Sequence, residues 1–137
     1  MDQRIVVLDG AMGTMVQAMS LGDEDDWRGS ALRDHHTAVR GCYDVLALTR
    51  PDAIERVHHE YFTAGADIVE TDSFSATSIA LADFGLEHHV REINVAAAQC
   101  ARRAADRAER EDGKPRWVAG SIGPTTKTAS LSPDVND

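Results

Sequence analysis

The feature that most constrains the fold is an alternation of short apolar runs with longer patterns of helical period. Residues 5–8, 68–71 and 117–122 are such runs, the first of them rich in β-branched side chains, and amphipathic segments separate them. Such runs are typical of strands that are buried on both faces of a sheet. Strands that alternate with helices pair in parallel through right-handed crossovers. The sequence therefore predicts an α/β protein.

Helical segments are predicted on either side of the second strand. Residues 12–20 form a short helix, and residues 51–65 form a second, which begins with a proline and ends at a glycine. Residues 87–111 form the longest helix, whose apolar stripe is mostly alanine. Residues 22–40 are polar and irregular, and loops of that length are usually functional or disordered. Trp27, which lies within this segment, favours an ordered loop that packs against the rest of the protein.

Polar and small residues follow each predicted strand. Asp9-Gly10 follows the first, Glu70 to Ser73 the second, and Gly123-Pro124 the third. The carboxyl ends of parallel strands meet at one edge of a sheet, where α/β proteins bind their ligands. The sequence therefore predicts a binding face at this edge.

The carboxylates at the ends of the first two strands allow different interpretations. Asp9 could bind a ligand amine or cation or act as an acid or base, or it could cap the next helix or anchor the Gly10 turn. Glu70 and Asp72 could form an acid–base pair, or they could belong to a solvated turn. Strand alternation places Glu70 at a buried position, where an unpaired carboxylate is costly.

Several classes of function are disfavoured by composition. The 137 residues carry a net charge of −9, which argues against a nucleic-acid surface. No apolar run approaches the roughly 20 residues that span a bilayer, and no signal peptide is recognisable, so a cytoplasmic location is expected. Residues 9–14 lack the glycine spacing of a dinucleotide site.

Histidines and cysteines do not predict a metal site either. The histidines occur as three adjacent pairs, whose rings point about 100° apart on a helix and do not chelate one ion. Cys42 and Cys100 form no Cys-x-x-Cys motif. Cys100 lies on the alanine stripe and is expected in the core, which leaves Cys42 as the candidate for a reactive thiol. No metal ligand is predicted in this chain.

The three strand-end segments together resemble the homocysteine S-methyltransferase family, and within it the N-terminal homocysteine-binding modules of cobalamin-dependent methionine synthases. No single segment is as specific as the combination. The segments that carry the resemblance are residues 7–14, 64–74 and 118–125, with support from residues 25–29, 44–51 and 130–137.

The resemblance implies a (β/α)8 TIM barrel that binds homocysteine at its C-terminal face. Such a barrel needs roughly 250 residues, so residues 1–137 are expected to be a partial homocysteine-binding domain, the N-terminal portion with about three βα units. Asp9 would contact the substrate amine, and the Gly10–Ala11 backbone would lie near its carboxylate. The other substrate-binding residues that the resemblance implies are Thr14, Glu70, Thr71, Ser73, Phe74, Gly123 and Pro124.

The resemblance also implies cofactors that this chain does not hold by itself. In the family a zinc ion keeps the substrate sulfur as a thiolate, which is the reactive form that takes the methyl group. In the family the zinc ligands are cysteines near the ends of later strands. Neither Cys42 nor Cys100 lies at a position that matches these ligands. Zinc ligands, methylcobalamin, and the cobalamin and folate modules are therefore expected outside these residues. The chain alone is expected to lack activity, with no catalytic residue of its own.

Two alternatives stay open. The chain could belong to a homocysteine methyltransferase that uses betaine or S-methylmethionine as methyl donor. It could also be a non-catalytic, truncated α/β module that binds an amino acid or a protein partner through its open edge. Residues 27–29 and 130–137 favour the cobalamin-dependent type.

Overall fold

The computed structural model describes residues 4–127, so the motif at 130–137 lies outside the described residues. Within that range, no helix is long and apolar enough to cross a membrane. Three short 3-10 turns are Tyr43–Val45, Ala82–Phe84 and Glu87–His89. The helices and strands, in chain order, are α1 (Met12–Ala18), α2 (Glu24–Arg28), α3 (Leu46–Thr49), α4 (Pro51–Ala64), β1 (Ile68–Glu70), α5 (Ser78–Leu81), α6 (Val90–Asp112) and β2 (Trp117–Ala119).

The sheet is parallel, as the alternation of elements predicts. β1 pairs with β2 so that Val69 lies opposite Val118. On the other side of β1, Leu8 forms a single parallel bridge with Ile68. The backbone N–H of Asp9 donates to the Ile68 carbonyl at 3.0 Å. The three predicted strand segments therefore run side by side, and their carboxyl ends share one edge.

The prediction that residues 5–8 form a strand buried on both faces is wrong. Only the bridge at Leu8 remains of the strand, and the exposed fractions of the four side chains run from 47% at Val7 to 87% at Ile5. The physical reason is that the helices cover a single face of the sheet. In β1, Val69 faces them and is fully buried, whereas Glu70 on the opposite face is exposed, against the burial predicted for it.

The core lies between α4, α6 and the covered face of the sheet. Phe62 of α4 and Val69 of β1 pack against the alanine stripe of α6, which confirms the predicted packing face of that helix. Alanines allow close approach because they carry only a methyl group. The buried members of the stripe are Ala97, Ala101, Ala104, Ala105 and Ala108.

The segment predicted as irregular, residues 22–40, contains a helix. Asp23 caps α2 by accepting the N–H of Asp26 at 3.2 Å. Trp27 is 7% exposed and belongs to a separate core cluster that includes Val16 of α1 and Leu46 of α3. An Asp cap before acidic residues in a first turn is a recognised helix start. Trp27 thus packs as its presence in the loop predicted. The third predicted strand, 117–122, is shorter than expected and ends at Ala119.

An ion pair holds the first segment in register. The Arg4 guanidinium donates two hydrogen bonds to Asp67, at 2.8 and 2.9 Å, and the N–H of Val7 donates to the same carboxylate at 2.9 Å. The Arg4 bonds and the Val7 N–H lower the pKa of Asp67 to about 2. Asp67 therefore fixes the strand segment whose end carries Asp9.

Candidate functional site

A cleft of about 390 Å³ opens where the three strand segments end. Residues after each segment and from the turn before α3 line it, so the shared edge of the parallel segments forms its floor. Six of the ten residues predicted to bind substrate line this cleft: Asp9, Gly10, Ala11, Glu70, Thr71 and Phe74.

Asp9 lies partly buried at one wall. Both of its carboxylate oxygens accept the backbone N–H of Glu70, at 3.1 and 3.2 Å. Burial raises its pKa, opposed by that N–H and reinforced by the Glu70 charge. The N-cap residue of α1 is Ala11, with no side-chain cap, so Asp9 does not cap that helix. Since a carboxylate offers about four acceptor positions, Asp9 can hold Glu70 and a ligand amine together.

Tyr61 supports the Gly10–Ala11 turn from below. Its hydroxyl donates to the Ala11 carbonyl at 3.1 Å. A Cβ added at Gly10 would lie 3.3 Å from the Tyr61 hydroxyl oxygen. Tyr61 lies within the predicted helix 51–65, and no local sequence pattern links it to residue 11, which lies 50 positions earlier.

Thr71, Ser73 and Ser121 form a hydrogen-bonded network under the cleft. The Ser73 hydroxyl donates to the Ser121 carbonyl at 2.9 Å, and the Ser121 N–H donates to Thr71 Oγ1 at 2.9 Å. Thr71 Oγ1 and Ser73 Oγ are 2.7 Å apart, and because the Ser73 proton is used, Thr71 donates between them. Ser73 is buried and ties the loops after β1 and β2 together, whereas Thr71 also lines the cleft.

Phe74 forms the exposed rim, and Gly123 fixes its position. The N–H of Gly123 donates to the Phe74 carbonyl at 2.8 Å. A Cβ at Gly123 would lie 2.6 Å from that carbonyl oxygen and 2.7 Å from the ring. Gly123 therefore acts through Phe74 and does not itself line the cleft. Thr14, on α1, and Pro124 are exposed outside the cleft lining.

Two buried carboxyl groups complete the cleft, and sequence analysis missed one of them. Asp44, from the 3-10 turn, and Asp72, after β1, are each 6% exposed. Asp44 accepts the N–H of Ser75 at 2.8 Å. Burial, with the nearby Asp44 charge, raises the pKa of Asp72 to about 8. With Asp9 and Glu70, the lining holds four acidic side chains and no Lys, Arg or His, which suits a ligand that carries an ammonium group.

The described residues do not fit the zinc ion that the family resemblance implies. Between residues 4 and 127, no three or more His, Cys, Asp and Glu side chains are grouped so that they could hold a metal. Cys42 and Cys100 are 3% and 0% exposed, and burial raises the pKa of Cys42 to about 12 and also raises that of Cys100. Neither thiol is disposed to become the thiolate that zinc or a nucleophile requires, so Cys42 behaves as a core residue.

Parallel strand segments, helices on one face and a cleft at the strand ends define an α/β protein. The family model for homocysteine S-methyltransferase matches residues 6–137. The chain belongs to the homocysteine S-methyltransferase family, as the strand-end motifs predicted.

Two crystal structures of the homocysteine methyltransferase MmuM from Escherichia coli are similar to this chain. The oxidized form is 28% identical with a TM-score of 0.70, and the alignment covers 90% of this chain and 38% of that one. The metallated form is 29% identical with a TM-score of 0.68, covering 90% of this chain and 39% of that one. The chain thus spans well under half the length of these relatives.

Proposed function

We propose that this chain supplies one side of the homocysteine-binding cleft of a methyltransferase that makes methionine. The observation that carries the proposal is an acidic cleft, without a basic residue, at the strand ends of a member of this family. In this proposal the chain is the N-terminal portion of a (β/α)8 barrel, with about three βα units. Methyl transfer belongs to the whole protein.

The lining suggests how an amino-acid substrate would sit. Asp9 and Glu70 both line the cleft, and the Asp9 carboxylate accepts the Glu70 N–H. Their carboxylates would hold the substrate ammonium group. The Gly10–Ala11 backbone, fixed by Tyr61, forms the adjacent wall. Phe74 offers an apolar rim for the methylene groups of the side chain.

In this proposal the cofactors are bound by residues outside the described part of the chain. The metallated form of MmuM supports a metal in the family, and zinc is the metal we propose. Since residues 4–127 do not fit it, its ligands would come from the portion of the relatives that this chain does not span. Methylcobalamin, with cobalamin and folate modules, is proposed on the resemblance of residues 27–29 and 130–137 to the cobalamin-dependent type.

The second candidate is a homocysteine methyltransferase that uses betaine or S-methylmethionine. The similarity to MmuM, a homocysteine methyltransferase, supports the shared reaction without separating the methyl donors. A cytoplasmic location is proposed for either type. The non-catalytic module remains the alternative in which the cleft binds an amino acid without methyl transfer.

The test is the binding of L-homocysteine to wild-type protein and to Asp9→Asn, measured by calorimetry. Asparagine can still accept the Glu70 N–H but loses the charge that pairs with the ammonium group, so binding should weaken roughly tenfold to a hundredfold. Asp34→Asn is the matched control, because Asp34 is exposed and lies outside the cleft lining. Unchanged binding in Asp9→Asn, with a lowered melting temperature, would instead make Asp9 a structural anchor.

A further inference from the structure

Asp72 occupies an unusual position for an acidic side chain. It lies one residue beyond the Thr71 that ends the second strand segment, lines the cleft, and is 6% exposed. Its Oδ2 atom is buried without a hydrogen-bond partner among residues 4–127. An ionised carboxylate in this position would be poorly solvated, and leaving it unpaired is costly. The free energy therefore favours a proton on Asp72.

The neighbouring Asp44 decides which of the two carboxyl groups carries the proton. Burial raises the pKa of Asp44, but its carboxylate accepts the N–H of Ser75 at 2.8 Å, and backbone N–H donors oppose that rise by stabilising the ionised form. Asp72 gains no such bond at Oδ2 and faces the negative charge of Asp44. Of the two, Asp72 is therefore the protonated group, and its pKa is raised to about 8.

The other titratable groups near Asp72 do not change this assignment. Burial raises the pKa values of Cys42 and Cys100, so both thiols are neutral, and ionised Asp72 would raise these pKa values further. Asp9 and Glu70, which also line the cleft, are acidic as well. No Lys, Arg or His lines the cleft and could favour ionisation of Asp72.

A protonated carboxyl group donates a hydrogen bond, whereas the other acids of the cleft accept. We propose that Asp72, as a neutral carboxylic acid on the cleft floor, donates a hydrogen bond to the carboxylate of the bound amino acid. The inference rests on the proposed function. It gives the acidic cleft two ends, one at Asp9 and Glu70 for the ammonium group and one at Asp72 for the carboxylate.

The experiment measures binding of L-methionine, which has no thiol to titrate, by calorimetry between pH 6 and pH 9. If only protein with protonated Asp72 binds well, wild-type affinity should fall roughly tenfold between pH 7 and pH 9, given a midpoint at about 8. Asp72→Asn keeps an N–H donor and cannot ionise, so its affinity should stay near the wild-type value at pH 6. In Asp72→Asn the fall in affinity caused by ionisation of Asp72 should be absent. Any fall that remains reports titration of the ligand amine, so the variant also corrects for that titration.

Asp72→Ala removes the donor, and its affinity should be roughly tenfold or more below that of Asp72→Asn at pH 6. The probe 3-(methylthio)propylamine, which is methionine without its carboxylate, should bind Asp72→Ala as well as it binds wild type. Equal methionine affinities for Asp72→Asn and Asp72→Ala, or parallel pH profiles for wild type and Asp72→Asn, would overturn the assignment and leave the proposed function standing.

Carbon-13 NMR of protein labelled at aspartate carboxyl groups tests the same point without a ligand. The signal that disappears in Asp72→Asn should titrate near pH 8 in the wild type, and a midpoint in the ordinary aspartate range would refute the inference. If folded wild-type protein binds neither methionine nor homocysteine at any pH, the proposed function fails and the ligand role of Asp72 fails with it.

Discussion

Mild acid should destabilise this protein through His58. The side chain lies on the buried face of α4, is 0% exposed, and neither ring nitrogen has a hydrogen-bond partner among the described residues. Burial lowers the pKa of His58 to about 4, from an ordinary value of 6.5. The folded protein therefore holds the imidazole neutral, whereas the unfolded chain takes up a proton below about pH 6.5.

The size of the effect follows from the gap between the two pKa values. A difference of about 2.5 units corresponds to roughly 3 kcal/mol of unfolding free energy, at about 1.4 kcal/mol per unit. The contribution of His58 is fully present above pH 6.5, is lost progressively as the pH falls toward 4, and is absent below that. A loss of about 3 kcal/mol is large against the 5–15 kcal/mol typical of whole domains.

Urea unfolding of wild type and His58→Phe at pH 7.5, 6, 5 and 4.5 measures this contribution. Phenylalanine fills a similar volume without titrating, so the variant should lose less stability on acidification, by about 1.4 kcal/mol per pH unit between pH 6 and pH 4.5. Any packing cost of the larger ring adds the same offset at every pH. His36→Gln, at an exposed position, should follow the wild type. Parallel stability curves for wild type and His58→Phe would refute the reasoning.

Two further substitutions test the scaffold of the cleft. Gly123→Ala places a methyl group 2.6 Å from the Phe74 carbonyl oxygen, so it should lower stability by roughly 1–3 kcal/mol and weaken homocysteine binding. Gly120→Ala, with nothing within 4 Å, is the control, and equal effects of the two would contradict the steric argument. Tyr61→Phe removes the hydrogen bond to the Ala11 carbonyl, so it should lower the free energy of unfolding in urea by about 0.5–1.5 kcal/mol. A change near zero would contradict a stabilising role for this bond.

Sequence reasoning predicted most helices because their signals are local. Pro51 begins α4 and Gly65 ends it in a left-handed conformation, and the alanine stripe of α6 faces the core. The acidic segment after Gly22 was interpreted as a loop because its helix, α2, is only five residues long. A helix of that length carries too few positions for periodicity to be recognised.

The candidate site was predicted in part for the same kind of reason. Asp9 and Glu70 were found because strand ends are recognisable in sequence and parallel strands bring them to one edge. Asp44 was missed because it lies in a 3-10 turn with no strand before it, 28 positions before Asp72. Only the packing of the turn against the loop after β1 brings these two carboxyl groups together.

The sequence by itself determined the alternation of the strand segments with the longer helices, the parallel pairing of those segments, the edge where the cleft forms, and the family. These follow from chain-local patterns of apolar spacing, helix ends and strand-end motifs. Tertiary structure alone decided which carboxyl groups are buried and which face of the sheet is covered. Burial depends on the atoms that pack around a group, and those come from distant parts of the chain. For that reason burial raises the pKa of Asp72 to about 8 whereas Glu70 is exposed, although the sequence places them two residues apart.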